Sequence, residues 1–221
     1  MSNLFSSSIG KKLLMSLAGL FLCSFLLVHL SINLLLLLPD GGEAFRTGVH
    51  FMTTNPVVKV MEFVLFGGFI VHMIWGLILQ IQNWMSRPQR YAVTNHSQSS
   101  FFSKYMIHTG AIILAFLGIH FINFYFVKLG FVAVPAGADD KHDFYHMAIN
   151  LFQQPVYSTI YIGFMIFLGF HLNHAFQSAF QTLGINHPKY TPVIKFLGIF
   201  YSVIVPAGFA IIPLYFMFFF K

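Results

Sequence analysis

Leu13 to Leu38 reads LLMSLAGLFLCSFLLVHLSINLLLLL, an apolar run without a charged side chain and with one histidine, His29, in its second half. At about 1.5 Å of rise per residue, a helix of this length crosses the roughly 30 Å hydrocarbon core of a bilayer. The run is too long for a signal-peptide core and ends without a small-x-small cleavage site, so it reads as a retained first transmembrane helix behind Lys11-Lys12. Runs of the same kind occupy Val57 to Met85, Tyr105 to Val127, Val156 to Phe180 and Val193 to Phe220. Turn and interface chemistry separates them: Pro39-Asp40-Gly41-Gly42, Arg87-Pro88, Pro135 with Gly137, and His187-Pro188. The expectation is an all-α membrane protein with five transmembrane helices, the first four forming a bundle.

Composition agrees. Of 221 residues, 57% are hydrophobic and 8% are charged, where a soluble domain carries about 25% charged residues. The long runs leave no room for a separate water-soluble domain, so 1–221 is read as one integral-membrane domain. The formal charge of +6 comes from 12 Lys and Arg against 6 Asp and Glu. These bases lie between the apolar runs rather than in one patch, which makes them topology signals and headgroup contacts instead of a nucleic-acid surface. Seven of them (Lys11, Lys12, Arg87, Arg90, Lys104, Lys189, Lys195) share the side of the N-terminus and five (Arg46, Lys59, Lys128, Lys141, Lys221) the other, which predicts a cytoplasmic N-terminus. The lone cysteine, Cys23, excludes an intrachain disulfide and a C-x-x-C-H attachment of c-type haem.

Four of the eleven histidines lie well inside four different runs: His29, His72, His120 and His171, with His174 one turn beyond the last. The fifth run has none. An imidazole in hydrocarbon is expensive and marks function by default. Interhelical hydrogen bonds would satisfy any one of them, and a proton or metal path would use several, but such paths usually add acids and only Glu62 lies within an apolar run. Depth sorts the four. With span midpoints as centres, His29 and His120 lie past them on outward-running helices, and His72 and His171 past them on inward-running ones. Two pairs at two levels follow, very roughly 5 to 10 Å apart along the membrane normal. Two imidazoles at one level are what a b-type haem needs for axial ligation, and two such levels in one bundle make an electron path. Gly68 and Gly76, at i−4 and i+4 from His72, would let a porphyrin approach the backbone or let helices pack closely. His174, at i+3 from His171, competes with it as fourth ligand, and spacing alone does not choose. His50, His96, His142, His146 and His187 fall in loops, and His108 near a helix end.

At these residues the chain resembles the membrane-anchor subunit, single-chain two-haem cytochrome b type, of succinate dehydrogenases and fumarate reductases. The resemblance rests on FLLVHL (25–30), GEAFRTGVHFM (42–52), IVH (70–72), GIH (118–120) and GFHLNHAFQSAFQTLG (169–184), and on their order over essentially the whole chain. It implies that His29 and His120 ligate an outer haem b, that His72 and His171 ligate an inner one, and that the position of His174 is not a ligand. It further implies a bacterial inner-membrane location, a flavoprotein partner with FAD, an iron–sulfur partner, and quinone, by the two-haem type menaquinone, as electron carrier. The dicarboxylate site would be on a partner, since this chain has too little loop for FAD and too few cysteines for a cluster. Quinone chemistry needs protons, and Glu62, with Glu43 and His50 in the preceding segment, are the candidates near the outer side; pairing of Glu62 with Lys59 at i−3 is the structural alternative. An anchor of another dehydrogenase or hydrogenase, and a haem-free histidine-lined proton or metal transporter, are the competing functions.

Overall fold

A computed structural model of the chain describes residues 7–85 and 105–220. Arg87, Arg90, His96, Lys104 and Lys221, which enter the readings above, lie outside the described residues. Helix α1 (Ser8–Leu34) opens on Ser7, whose Oγ accepts the Gly10 amide at 3.0 Å; a short 3₁₀ turn, Leu35–Leu37, closes it before Pro39. The short α2 (Glu43–Thr54) leads into α3 (Pro56–Met85), whose first turn is capped by Asn55, accepting the Val57 amide at 2.9 Å. Helix α4 (Met106–His120) runs without interruption into a π turn, Phe121–Tyr125, and a last helical turn, α5 (Phe126–Lys128). Then come α6 (Phe144–Phe152), α7 (Pro155–Thr182), which starts on a proline that costs the first turn no hydrogen bond, and α8 (Thr191–Phe218).

Among the described residues, five stretches are long and apolar enough to cross a membrane: Ile9–Leu37, Pro56–Met85, Met106–Lys128, Pro155–Thr182 and Thr191–Phe218. Their ends depart from the apolar runs of the sequence by at most four residues. Among the described residues there is no strand. The chain is an all-helical, multi-pass membrane protein.

Packing gives the spans an order. Helix α1 packs along α3 on one side and α7 on the other, α4 packs on α7, and α3 and α4 barely touch. The ring is therefore α3–α1–α7–α4, with a loose seam closing it. Helix α8 lies outside that ring, against α7 and α1, and its contact with α7 is the most extensive in the protein. The fifth span is thus a tightly packed flank of the ring: Val205 and Phe216 are each 1% exposed. Small residues permit the approach, as membrane helices require where no hydrophobic gradient drives association. A Cβ on Gly169 would come within 2.9 Å of the Ser202 carbonyl, and one on Gly208 within 2.9 Å of the Leu30 side chain.

Beyond the C-terminal end of α1 and the N-terminal ends of α3 and α7, α2 and α6 make a cap. Phe45, Tyr145, Ala148, Ile149 and Phe152 pack with Leu36 and Phe216. Gly42 has φ +86°, and the Tyr145 ring occupies the space its Cβ would need. The Arg46 guanidinium lies 4.5 Å from the centre of the same ring, a cation–π contact that ties α2 to α6.

Candidate functional site

The bundle brings the four histidines together in the partition that depth implied. His29 on α1 faces His120 at the end of α4, with ring centroids 5.9 Å apart and planes at 85°. His72 on α3 faces His171 on α7 at 6.3 Å and 75°. His174 enters no such pair. Each pair joins helices on opposite sides of the ring, so that the imidazoles meet in its interior. Aromatic side chains surround the first pair: Phe25 stacks on His29 at 5.2 Å, Phe209 lies 5.6 Å from it, and Phe124 and Tyr161 lie 5.2 and 6.4 Å from His120.

Neighbouring glycines act as rulers for the separation of the levels. A Cβ on Gly19 would meet the His72 ring at 3.4 Å, and Gly19 is ten residues before His29 on the same helix. A Cβ on Gly110 would meet the His171 ring at 3.6 Å, and Gly110 is ten residues before His120. Ten residues of helix rise about 15 Å, so two helices independently set the levels about that far apart along their axes. This exceeds the roughly 5 to 10 Å expected from span midpoints because the spans do not share one central plane. Gly68 and Gly76 face α1, where added Cβ atoms would lie 3.2 Å from Phe21 and 3.9 Å from the Met15 sulfur; close packing accounts for both.

The hydrogen-bonding of the rings differs from one to the next. His171 Nδ1 lies 3.2 Å from Thr109 Oγ1, and His29 Nδ1 lies 3.4 Å from the amide nitrogen of Asn33, which also donates to the His29 carbonyl at 2.7 Å. The Nδ1 atoms of His72 and His120 are buried without a hydrogen bond; the Met15 main chain interacts with His72 without meeting hydrogen-bond geometry. Leaving a buried polar atom unmatched costs about 1–3 kcal/mol, a cost that asks for an explanation in function.

A haem iron fits this donor set. Metal–imidazole bonds of about 2 Å on each side, plus the half-widths of two rings, put the centroids of an axial pair roughly 6 Å apart. Both observed separations meet that requirement, and rotation about a metal–nitrogen bond leaves the interplanar angle free. His29 with His120, and His72 with His171, are the residues that would hold such an iron at each level.

Glu62 has different partners from the one its sequence neighbours suggested. Its Oε1 accepts from Tyr125 Oη at 2.9 Å and from Lys128 Nζ at 3.0 Å, across the seam between α3 and the third span. Lys59 at i−3 is not the partner. Phe66 packs on Phe121 and Tyr125 beside this cluster, at 5.8 and 5.1 Å. The π turn is what aims it. In an unbroken helix, Lys128 would lie about 80° round from His120; the extra residue of the π turn brings it back by about 100°, nearly onto the His120 face. Glu43 and His50 are exposed on α2 and share no hydrogen bond or ion pair with Glu62.

Sequence reasoning passed over Thr109, Tyr161 and Asn123. Tyr161 on α7 is buried beside His120 and accepts from the Asn123 side chain, in the π turn, at 3.0 Å. Nothing local in FINFY (121–125) signals a π turn, and an isolated threonine or tyrosine in an apolar run carries no spacing to read. Asp139, Asp143 and His146 cluster at the start of α6, where Asp143 accepts the His146 amide as a helix cap. Burial pushes the Asp143 carboxyl up, but hydrogen bonds from the Asp139 amide and the His146 ring and amide hold it below the usual range. Comparison with family models, curated proteins and solved structures returns no match.

Proposed function

We propose that this chain is the di-haem cytochrome b membrane anchor of a succinate:quinone oxidoreductase, passing electrons between an iron–sulfur partner and quinone in a bacterial inner membrane. The observation that carries the reading is the presence of two interhelical histidine pairs, 5.9 and 6.3 Å between ring centroids, at two levels of one bundle. A haem b with both axial positions filled supplies one-electron transfer rather than oxygen chemistry.

The chain's own part is to hold and orient two such groups and to keep water from them. His29 and His120 serve the outer level, His72 and His171 the inner one. The aromatic shell around His29 and His120 excludes water from that level. Glu62 enters the proposal as part of a cluster with Lys128 and Tyr125, which offers donors and an acceptor to a quinone at the outer edge; Glu43 and His50 stand apart from that cluster on the surface of α2. The resemblance stated above is the warrant for the flavoprotein and iron–sulfur partners, for menaquinone, and for the complex's dehydrogenase activity. The charge count is the warrant for a cytoplasmic N-terminus.

The test is the purified chain's reduced-minus-oxidised spectrum with a pyridine haemochrome assay. Two non-covalent b haems per chain are expected, together with a co-purifying flavoprotein that oxidises succinate. No haem would overturn the reading in favour of a histidine-lined path, and haem with a different dehydrogenase would assign the anchor elsewhere. Glu62→Gln with normal haem content and unchanged quinone turnover would remove the role given to Glu62.

A further inference from the structure

We propose that Thr109 is the positioning residue of the inner level: its hydroxyl holds His171 as the Nδ1–H tautomer, presents Nε2 as the ligand, and biases the redox equilibrium of the haem held there. This rests on the haem reading above.

A threonine hydroxyl has one proton and two lone pairs. Thr109 Oγ1 lies 3.0 Å from the Met106 carbonyl, which can only accept, and 3.2 Å from His171 Nδ1. Both contacts are hydrogen bonds at once only when the hydroxyl proton goes to the carbonyl and the ring nitrogen carries the hydrogen that the same oxygen accepts. Nε2 is then left with its lone pair. Thr109 is 9% exposed and lies on α4, one residue before Gly110, whose missing side chain lets the ring rest against that helix.

None of the other three histidines has this arrangement. The Nδ1 atoms of His72 and His120 have no hydrogen bond, the Met15 main chain beside His72 standing outside that geometry, and His29 Nδ1 meets the Asn33 side-chain nitrogen, which can only donate. An acceptor on the outer N–H fixes the ring orientation of a ligating histidine and raises its basicity. A more basic ligand favours the more highly charged iron. Removing the acceptor therefore shifts that haem toward its reduced form and leaves the other level untouched.

The experiment compares wild type, Thr109→Val and Thr109→Ser in the purified complex, with haem content by pyridine haemochrome and potentials by redox titration monitored by electron paramagnetic resonance. In Thr109→Val the equilibrium of one low-spin component should move about tenfold toward reduction, the lower end for loss of an outer-shell partner, or ~59 mV for one electron. The other component should hold, and Thr109→Ser, which keeps the oxygen, should return to within about twofold of wild type. Two haems in Thr109→Val with neither component moved overturns the proposal and leaves the haem reading standing. If Thr109→Val loses one haem outright, Thr109→Ser decides: recovery of haem and potential supports the role, and a matching loss refutes it. A haem-free wild type removes both readings together.

Discussion

Lys128→Met tests the seam between the second and third spans at the point where it is held. Lys128 Nζ sits 3.0 Å from Glu62 Oε1, a separation worth about 5.5 kcal/mol of gross attraction at an effective dielectric of 20. The two side chains are 23% and 33% exposed, so part of that is offset by lost hydration and part is screened. The net lies between an exposed pair, about 0–1 kcal/mol, and a buried one broken on one side, about 3–5 kcal/mol; about 2 kcal/mol is the expected loss. Because α3 and α4 barely touch elsewhere, the loss should fall on the seam. Unfolding in detergent of Lys128→Met, Glu62→Gln and the double variant gives the coupling directly. The double variant, without an orphaned charge, should be milder than the sum of the singles. A coupling within about 0.3 kcal/mol of zero, the scatter of independent sites, would refute the clamp.

Ligand pairing makes the sharpest spectroscopic expectation: His29→Ala and His120→Ala should lose the same low-spin component, His72→Ala and His171→Ala the other, and His174→Ala neither. A loss shared by His29→Ala and His72→Ala, with His120→Ala matching His171→Ala, would sink the two-level arrangement. Gly42→Ala should destabilise the α2–α6 cap by about 2–3 kcal/mol, combining a left-handed backbone penalty of about 1–2 kcal/mol with displacement of the Tyr145 ring; Gly41→Ala, at φ +68° with open space around it, should cost only the backbone part, and equal melting shifts for the two would contradict this. Acid should loosen the same cap. The Ala44 and Gly42 amides hold the Asp40 carboxyl below its ordinary value, and hydrogen bonds outweigh burial to do the same at Asp143. A depressed native pKa means stabilisation that is full above the unfolded value of about 3.9 and lost as pH falls through the native one. Hydrogen exchange at Ala44 and His146, corrected for intrinsic pH dependence, should lose protection over that range in wild type and show no such pH dependence in Asp40→Asn and Asp143→Asn.

The number of spans, the all-helical class and the four histidines that face one another in the bundle were legible in the linear chain. Span length and apolarity are local properties, since a helix in lipid satisfies its own backbone and needs only enough apolar residues to cross. The pairing was legible too, because the chain reverses at each crossing and position along a span converts to depth. Other features needed the folded molecule. The levels stand about 15 Å apart rather than 5 to 10 because helices settle against one another by side-chain fit, such as Gly19 against His72, with no obligation to share a midplane. Glu62 found Lys128 and Tyr125 because a π turn, unmarked in FINFY, rotates the end of the third span. Thr109 reached His171, 62 residues away, through the packing of α4 on α7. Contacts between helices depend on rotation and offset about axes that local composition leaves free, and only the packing of the whole bundle sets them.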